Sequence, residues 1–216
     1  MPKLEVSQMR KVFISYHHGN DQAYKDALIA LNNVYNIFID RSVNTGDIAD
    51  SLPTQTIRRK IRDEKLRDST VTVLLVGTET RYRKHVDWEL KSSMINGAVN
   101  KRSGILVVML GNNHPDNGYV SSFLERSTLY PHVPRLQLVR TAAEFEALYP
   151  GLPDRIIDNM LEPGVSISIV QWSKIYNDPD ALEFLIEVAS EARMTNDYDL
   201  SRPMRMRDHN PRPGWI

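Results

Sequence analysis

In this 216-residue sequence, Glu89 is the residue whose neighbouring sequence is most typical of a catalytic carboxylate. It follows a buried-strand pattern, Val71–Val76, and a polar loop, and it lies in a segment with helical periodicity. The apolar residues of the predicted helix face, at spacings of four, four and three, are Val86, Leu90, Met94 and Gly97. Open α/β sheets usually keep their ligand sites at this end of a parallel strand. The alternative is an ordinary solvated glutamate, because most glutamates are exposed.

Polar and aromatic residues surround this carboxylate in the sequence. His85 and Ser93 lie one helical turn to either side of Glu89, and Trp88 and the loop residue Tyr82 are close by. We therefore expect Glu89 at the edge of the buried helix face, beside aromatic rings.

Four apolar runs alternate with helical patterns and predict the fold. The runs are residues 12–16 (VFISY), 37–39 (closed by Asp40), Val71–Val76 and 105–110. A helix after the first run is marked by Tyr24, Ala27, Leu28 and Leu31, with Asn20 or Asp21 as its cap, and a charged helix by Ile57, Ile61 and Leu66. Such alternation predicts an α/β fold with a mostly parallel sheet and helices on both faces.

The regular alternation ends after residue 110. Residues 111–134 are rich in Gly, Asn, Ser and Pro and predict an irregular excursion. The fifth strand is either 136–139 (LQLV) or 164–170 (GVSISIV), and residues 181–192 predict an amphipathic helix. The organisation expected is an N-terminal extension (1–9), a domain (10–195, with the excursion at about 111–135) and an Arg/Pro-rich tail (196–216). Four dispersed arginines from residue 201 onwards favour disorder or packing across the body over a polybasic anchor.

Composition excludes several classes of function. The 27 basic and 27 acidic residues cancel, so we expect no nucleic-acid or membrane partner. No cysteine is present and no apolar run approaches the roughly 20 residues that span a bilayer, which fits a cytoplasmic protein.

The polar, Gly46-containing loop 41–51 is suited to lie over the carboxyl edge of the sheet.

Common catalytic motifs are missing. The sequence has no G-x-G-x-x-G, no G-x-x-x-x-G-K-[ST] and no G-x-S-x-G. A phosphorelay receiver would need an acidic residue where the third strand ends at Gly77. His17 with His18, and His85 with Glu89, could bind a metal ion, but the H-E-x-x-H spacing is absent, so we expect no metal site.

Three pieces of the chain form a recognisable set: KVFISYHHGND, the second strand ending in Asp40, and SVTVLLVGTETRYRKHVDWELKSSM. Together they resemble the TIR (Toll/interleukin-1 receptor) domain, most closely the ThsB-type TIR-like proteins of the Thoeris anti-phage defence system. The most specific part is G-[ST]-x-T followed by an aromatic-Glu-apolar triplet, which comprises Gly77, Thr80, Trp88, Glu89 and Leu90. The resemblance covers about residues 10–110, and the arginine-rich end is similar to the tails of the same proteins. It implies a flavodoxin-like TIR fold with an irregular C-terminal extension.

The same resemblance implies an enzyme and its site. Glu89 would be the catalytic carboxylate, with NAD as substrate and no cofactor. The residues implied to bind substrate are Ser15, Tyr16, His17, His18, Asp40, Tyr82, His85 and Trp88. One departure is His85, where related proteins often carry Trp.

The function implied is that of an NAD glycohydrolase and ADP-ribosyl cyclase in anti-phage defence. The resemblance further implies a phage-derived trigger, homo-oligomers on activation and an effector reached through a diffusible nucleotide signal. Two alternatives remain open at this stage: a non-enzymatic TIR interaction scaffold, and a nucleoside deoxyribosyltransferase, which also uses a glutamate at an anomeric carbon.

Overall fold

Five parallel strands form the sheet at the centre of the molecule, in the order β2-β1-β3-β4-β5. The computed structural model describes residues 9–42, 56, 66, 68–97, 101–111, 118–133 and 138–208. The strands are β1 (Arg10–Ser15), β2 (Phe38–Asp40), β3 (Val71–Val76), β4 (Gly104–Met109) and β5 (Ser168–Gln171). All neighbouring pairs run in the same direction, so their carboxyl ends meet at one edge.

Seven α-helices are found in the described part of the chain. They are α1 (Gln22–Tyr35), α2 (Lys84–Met94), α3 (Phe123–Leu129), α4 (Ala142–Leu148), α5 (Asp154–Leu161), α6 (Trp172–Tyr176) and α7 (Pro179–Ala192). A 3-10 turn, Thr80–Tyr82, precedes α2.

The helices cover the sheet on both faces, which β3 shows most clearly because all six of its residues are buried. Val71, Val73 and Leu75 pack with the apolar residues of α1 and α7. Leu74 and Val76 pack on the other face, with α2, α4 and α5. Burial on both faces explains why this strand is a continuous apolar run rather than an alternating one, and the predicted α/β, flavodoxin-like fold is confirmed.

Several predicted elements are found where expected. The first helix, the strand Val71–Val76 and the C-terminal amphipathic helix are confirmed. The fifth strand lies at Ser168–Gln171, so the second alternative was the right one, whereas Leu138 and Val139 are outside any strand. The predicted apolar face of the Glu89 helix was too long. That helix ends at Met94, since Ile95 is extended, and Gly97 lies beyond it.

The region after β4 is more regular than its composition predicted. Within the expected excursion, residues 123–129 form α3, and the Ser122 side chain accepts the Glu125 N–H as its cap. Tyr119 pairs antiparallel with Ile169 and so covers part of the outer edge of β5. Helices α4 and α5 were not predicted. The missed signal for α4 was a capping box, in which Thr141 and Glu144 bond each other's backbone N–H.

Some predictions fall outside the described residues. These are the N-terminal extension to residue 8, most of the loop 41–51, the helix marked by Ile57 and Ile61, positions 136 and 137, and the tail beyond residue 208. The tail up to residue 208 has no helix or strand and packs across the body; the domain boundary at residue 195 stays a prediction. None of the described helices has the length and apolar character that a bilayer crossing requires.

Candidate active site

Glu89 of α2 meets Ser15, the last residue of β1. The Ser15 hydroxyl donates to Glu89 Oε2 at 2.8 Å. Ser15 is fully buried and Glu89 is only 4 % exposed, so the carboxylate is held well below the surface. Hydrogen bonds to an ionised acceptor are roughly twice as strong as neutral ones, which makes this bond an effective anchor for the glutamate.

Helix α2 packs on the sheet and fixes the position of Glu89. Val86 and Leu90, on either side of the glutamate, are buried against the core. One turn further on, the Ser93 hydroxyl bonds the Thr72 hydroxyl of β3 at 2.8 Å, also in the interior. Glu89 is therefore part of the buried face, deeper than the edge position predicted from the sequence.

A second buried carboxylate, Asp21, joins the ends of β1 and β3. Thr80 Oγ1 donates to Asp21 Oδ2 at 3.2 Å and accepts the Gly77 N–H at 2.9 Å. A Cβ at position 77 would overlap both carboxylate oxygens of Asp21, which explains why a glycine stands there. Asp21 is the N-cap residue of α1, one of the two predicted alternatives, and its carbonyl accepts the Tyr24 and Lys25 N–H groups, but its side chain makes no capping bond. Burial raises the pKa of its carboxyl group.

Tyr16 and His18 form a stacked pair just after β1. Their ring centroids are 4.4 Å apart with an angle of 22° between the planes. The Tyr16 hydroxyl donates to Gln22 Oε1 at 2.7 Å. Burial raises the pKa of Tyr16, and the charges of Asp26 and Glu89 add to this effect. The stacked pair thus presents an aromatic surface within the electric field of Glu89.

His17, between Tyr16 and His18 in the sequence, has contacts that differ from those of the stacked pair. Its carbonyl oxygen accepts the Asn20 and Asp21 N–H groups, while its buried Nδ1 finds no hydrogen-bond partner among the described residues. Burial, together with the positive charge of Arg83, lowers the pKa of His17. A neutral imidazole is consequently the favoured form at neutral pH.

These groups together suit the stabilisation of a positive centre. A buried carboxylate with a fixed orientation can accept hydrogen bonds from sugar hydroxyls and oppose a developing positive charge, most strongly where water is excluded. Within the described ranges, no three or more His, Asp or Glu side chains are grouped as metal ligands would be.

Comparison with known proteins assigns this arrangement to a family. Residues 13–115 match the family described as "Thoeris protein ThsB, TIR-like domain". Residues 13–115 form a ThsB-type TIR-like domain. No curated protein matches the sequence. The family match associates this domain with the Thoeris system.

The ThsB-type match includes both partners of the central hydrogen bond. It begins within β1 before Ser15, contains α2 with Glu89, and ends after β4. Strand β5 and everything beyond it lie outside the matched residues, although β5 completes the same sheet.

Asp40, which the TIR resemblance places in the substrate pocket, lies on the edge strand β2. Its register partner on β1 is Val12, three residues before Ser15, a separation of roughly 10 Å along the strand. The Asp40 side chain is exposed and accepts the Ser42 N–H at 2.7 Å. Its role in binding substrate stays a prediction.

The remaining predicted residues of the TIR-like site flank α2. Tyr82 is half-buried in the 3-10 turn, with the Arg81 guanidinium 5.8 Å from its ring centre. His85 is exposed and stands edge-on to Trp88, with the ring centroids 5.1 Å apart. Trp88 is 4 % exposed and packs in a small cluster with Phe13, Leu66 and Met204. Whether these rings line a substrate pocket is still a prediction, and the Trp88 ring is largely covered by the tail.

Proposed function

We propose that this protein cleaves the nicotinamide N-glycosidic bond of NAD and makes a cyclic ADP-ribose-type signal that activates a Thoeris effector during phage infection. The observation that supports this most is the buried carboxylate of Glu89, fixed by the Ser15 hydroxyl at the carboxyl edge of the sheet. A scaffold protein would not need a glutamate held in this way, because a buried charge costs free energy unless it is used or well paired.

One carboxylate is enough for this reaction. A typical glycosidase needs a second carboxyl group to protonate a neutral leaving group. Nicotinamide is attached to the ribose of NAD as a cationic pyridinium and leaves as a neutral base, so no acid is required. Glu89 would accept hydrogen bonds from the ribose hydroxyls and stabilise the oxocarbenium-like transition state, and the Ser15 hydroxyl would hold the carboxylate in position.

The fate of the anomeric carbon depends on what lies nearest when nicotinamide leaves. A ring nitrogen or hydroxyl of the folded dinucleotide can reach an effective molarity of about 10⁵ M or more, which exceeds that of bulk water. The stacked rings of Tyr16 and His18 offer a surface on which a base can lie and from which water is displaced. Cyclisation is therefore the proposed outcome, in preference to hydrolysis.

Activity is proposed to be low at rest. A cell cannot tolerate steady loss of NAD, so a phage-derived trigger and self-association are proposed to complete or open the site. The partners would be NAD, the trigger and, through the diffusible product, a separate effector.

The test is mass spectrometry of NAD incubated with the protein, with and without extract of phage-infected cells. Glu89→Gln should abolish nicotinamide release, because loss of such electrostatic stabilisation costs about 10² to 10³ in rate. Glu125→Gln is the matched control. Glu125 is also fully buried and held by serine hydroxyls, those of Ser121 and Ser168, but it lies beside β5, three strand spacings or about 14 Å from β1.

Each outcome of this assay supports or excludes one of the candidate functions. Activity of Glu89→Gln within about tenfold of wild type would remove Glu89 from catalysis. Linear ADP-ribose as the sole product would make the protein a hydrolase without a cyclic signal. Turnover of deoxynucleosides but not NAD would support the deoxyribosyltransferase reading, and no turnover of either in any condition would support a scaffold.

A further inference from the structure

The last described part of the chain, residues 196–208, lies across α2 and α5, and we call it the tail strap. It has no regular secondary structure. Its start is tied down by Asn196, which is fully buried and bonds both the backbone of Ser166 and the Tyr198 hydroxyl. Tyr198 in turn donates to the Ser103 carbonyl at 3.1 Å. The strap is thus anchored before it reaches α2.

One face of α2 is devoted to the strap. Its side chains are spaced by one and three residues, as on a single helix face, and are those of Asp87, Trp88 and Lys91; the backbone N–H of Lys84, the first residue of the helix, adds a contact. The Lys84 N–H donates to Asp208 Oδ1 (2.7 Å), and the Arg205 N–H donates to Asp87 Oδ2 (2.8 Å). Trp88 Nε1–H donates to the Arg205 carbonyl (2.7 Å). Lys91 Nζ donates to the carbonyls of Leu200 (3.0 Å) and Arg202 (2.8 Å).

Arg155 of α5 joins the helix and the strap from below. It is 1 % exposed, and its Nε and one terminal nitrogen bond the two carboxylate oxygens of Asp87 at 2.9 and 3.2 Å. Its two terminal nitrogens also donate to the carbonyls of Arg202 and Pro203, at 3.1 and 3.2 Å. A single buried guanidinium therefore connects α5, α2 and the strap.

Surface ion pairs hold the strap at two further points. Arg202 pairs with Asp158, and Arg205 lies 3.4 Å from Asp154. Both aspartates belong to α5, so the strap is bound on each side of the groove between the two helices. Partly exposed pairs of this kind each contribute little, and the buried contacts carry most of the attachment.

Glu89 lies on the opposite side of α2 from this attachment. The face directed at the sheet contains Val86, Glu89, Leu90 and Ser93, so the helix is clamped between β-sheet and strap. Helix α2 has only 11 residues, and helices of this length are marginal without tertiary contacts on their faces.

We propose that the tail strap positions Glu89, and that Lys91 is a positioning residue that acts through α2. Lys91 fastens two carbonyls of the strap one half-turn beyond Glu89. With the strap attached, α2 keeps the carboxylate on Ser15; with it detached, the helix loosens and the carboxylate loses its fixed direction. The catalytic part of this inference rests on the proposed NAD chemistry, whereas the ordering of α2 does not.

The test compares Lys91→Met with Arg102→Met in the full chain. Arg102 is a matched control because it also donates to two backbone carbonyls, those of Arg193 and Met194, at 2.7 and 3.0 Å, but at the amino edge of β4. In Lys91→Met, hydrogen exchange of the α2 amides should speed up by about tenfold or more, since local opening governs exchange. Its kcat for NAD should fall by about 10- to 100-fold with KM little changed, because small misplacements of a catalytic group are that costly. Arg102→Met should show neither effect.

Two further variants separate positioning from simple unfolding. Lys91→Arg keeps donors for both carbonyls and should restore slow exchange and kcat. Trp88→Phe keeps one six-membered aromatic ring, removes the five-membered part of the indole with the N–H that bonds the Arg205 carbonyl, and should reproduce the Lys91→Met effect on exchange. Wild-type exchange rates in Lys91→Met and Trp88→Phe would overturn the proposal, as would an unchanged kcat in an active enzyme. If wild type fails to turn over NAD, the proposed function is lost, and the exchange rates alone decide whether the strap orders α2.

Discussion

Loss of the Arg155 guanidinium is expected to unfold the region around α2 more readily than any surface change. The side chain of Arg155 is fully buried, and that of its partner Asp87 is 12 % exposed. Arg155→Met removes the cation, leaves Asp87 with the Arg205 N–H as a remaining donor, and frees the carbonyls of Arg202 and Pro203.

The magnitude follows from the burial of the pair. Removing one partner of a buried ion pair costs about 3 to 5 kcal/mol, because the remaining charge stays in a poorly hydrated place. For a chain of this size, about 2 to 4 °C of Tm accompanies each kcal/mol, so Tm should fall by roughly 6 to 20 °C. The double variant Arg155→Met/Asp87→Leu should regain most of this loss, since an apolar pair replaces a buried ionic one at little net cost.

Urea unfolding of the two single variants and the double variant gives the free energies for this cycle. Recovery should stop short of wild type, because the Arg205 N–H then has no acceptor in place of Asp87, a penalty of about 1 to 3 kcal/mol. A cost below about 1 kcal/mol for Arg155→Met would refute the reasoning. It would mean that water enters through the cleft of about 190 Å³ that both residues line and hydrates Asp87 without help.

Two other outcomes are expected from the same kind of measurement. Gly104→Ala should lower the urea midpoint by the equivalent of about 3 kcal/mol, since the new Cβ would overlap the Ala189 carbonyl; a midpoint like that of wild type would show that α7 moves aside freely. Burial holds the pKa of His17 below its ordinary 6.5, so the folded state binds a proton at His17 less readily than the unfolded chain does. The contribution of His17 to stability is therefore present above pH 6.5 and is lost as the pH falls below that value. Wild type should therefore lose more stability than His17→Gln between pH 7.5 and 5.5, and parallel losses would count against this.

The sequence was sufficient for the parts of the fold that are set by local pattern. Runs of apolar residues such as Val71–Val76 have one explanation in a chain of alternating helices and strands, namely a strand buried on both faces. The same holds for α7, whose apolar stripe is complete within one helix. The short helices α3 and α4 were not predicted, because the composition of these segments favoured a loop. In each of them, the local sequence signal for a helix is a single side-chain N-cap.

Part of the candidate site could also be predicted from local pattern, and part of it could not. Glu89 could be located from its helix and its motif, and the motif glycine has a physical cause in the contact with Asp21 that the structure reveals. The packing of Trp88 under the tail could not be foreseen, since Trp88 and Arg205 are 117 positions apart and no periodic pattern connects them. The polar face of α2 looks solvated in the sequence because its partners belong to an irregular segment.

The attachment of the strap to α2 also fixes an order of events during synthesis. Lys84 and Asp208 are separated by 124 positions, so a ribosome adding about 5 to 20 residues per second needs roughly 6 to 25 seconds to pass from one to the other. During that interval α2 can rest on the sheet, but the contacts on its other face do not yet exist. A nascent chain therefore carries Glu89 in a half-clamped helix, and the site is finished only when the strap has left the ribosome.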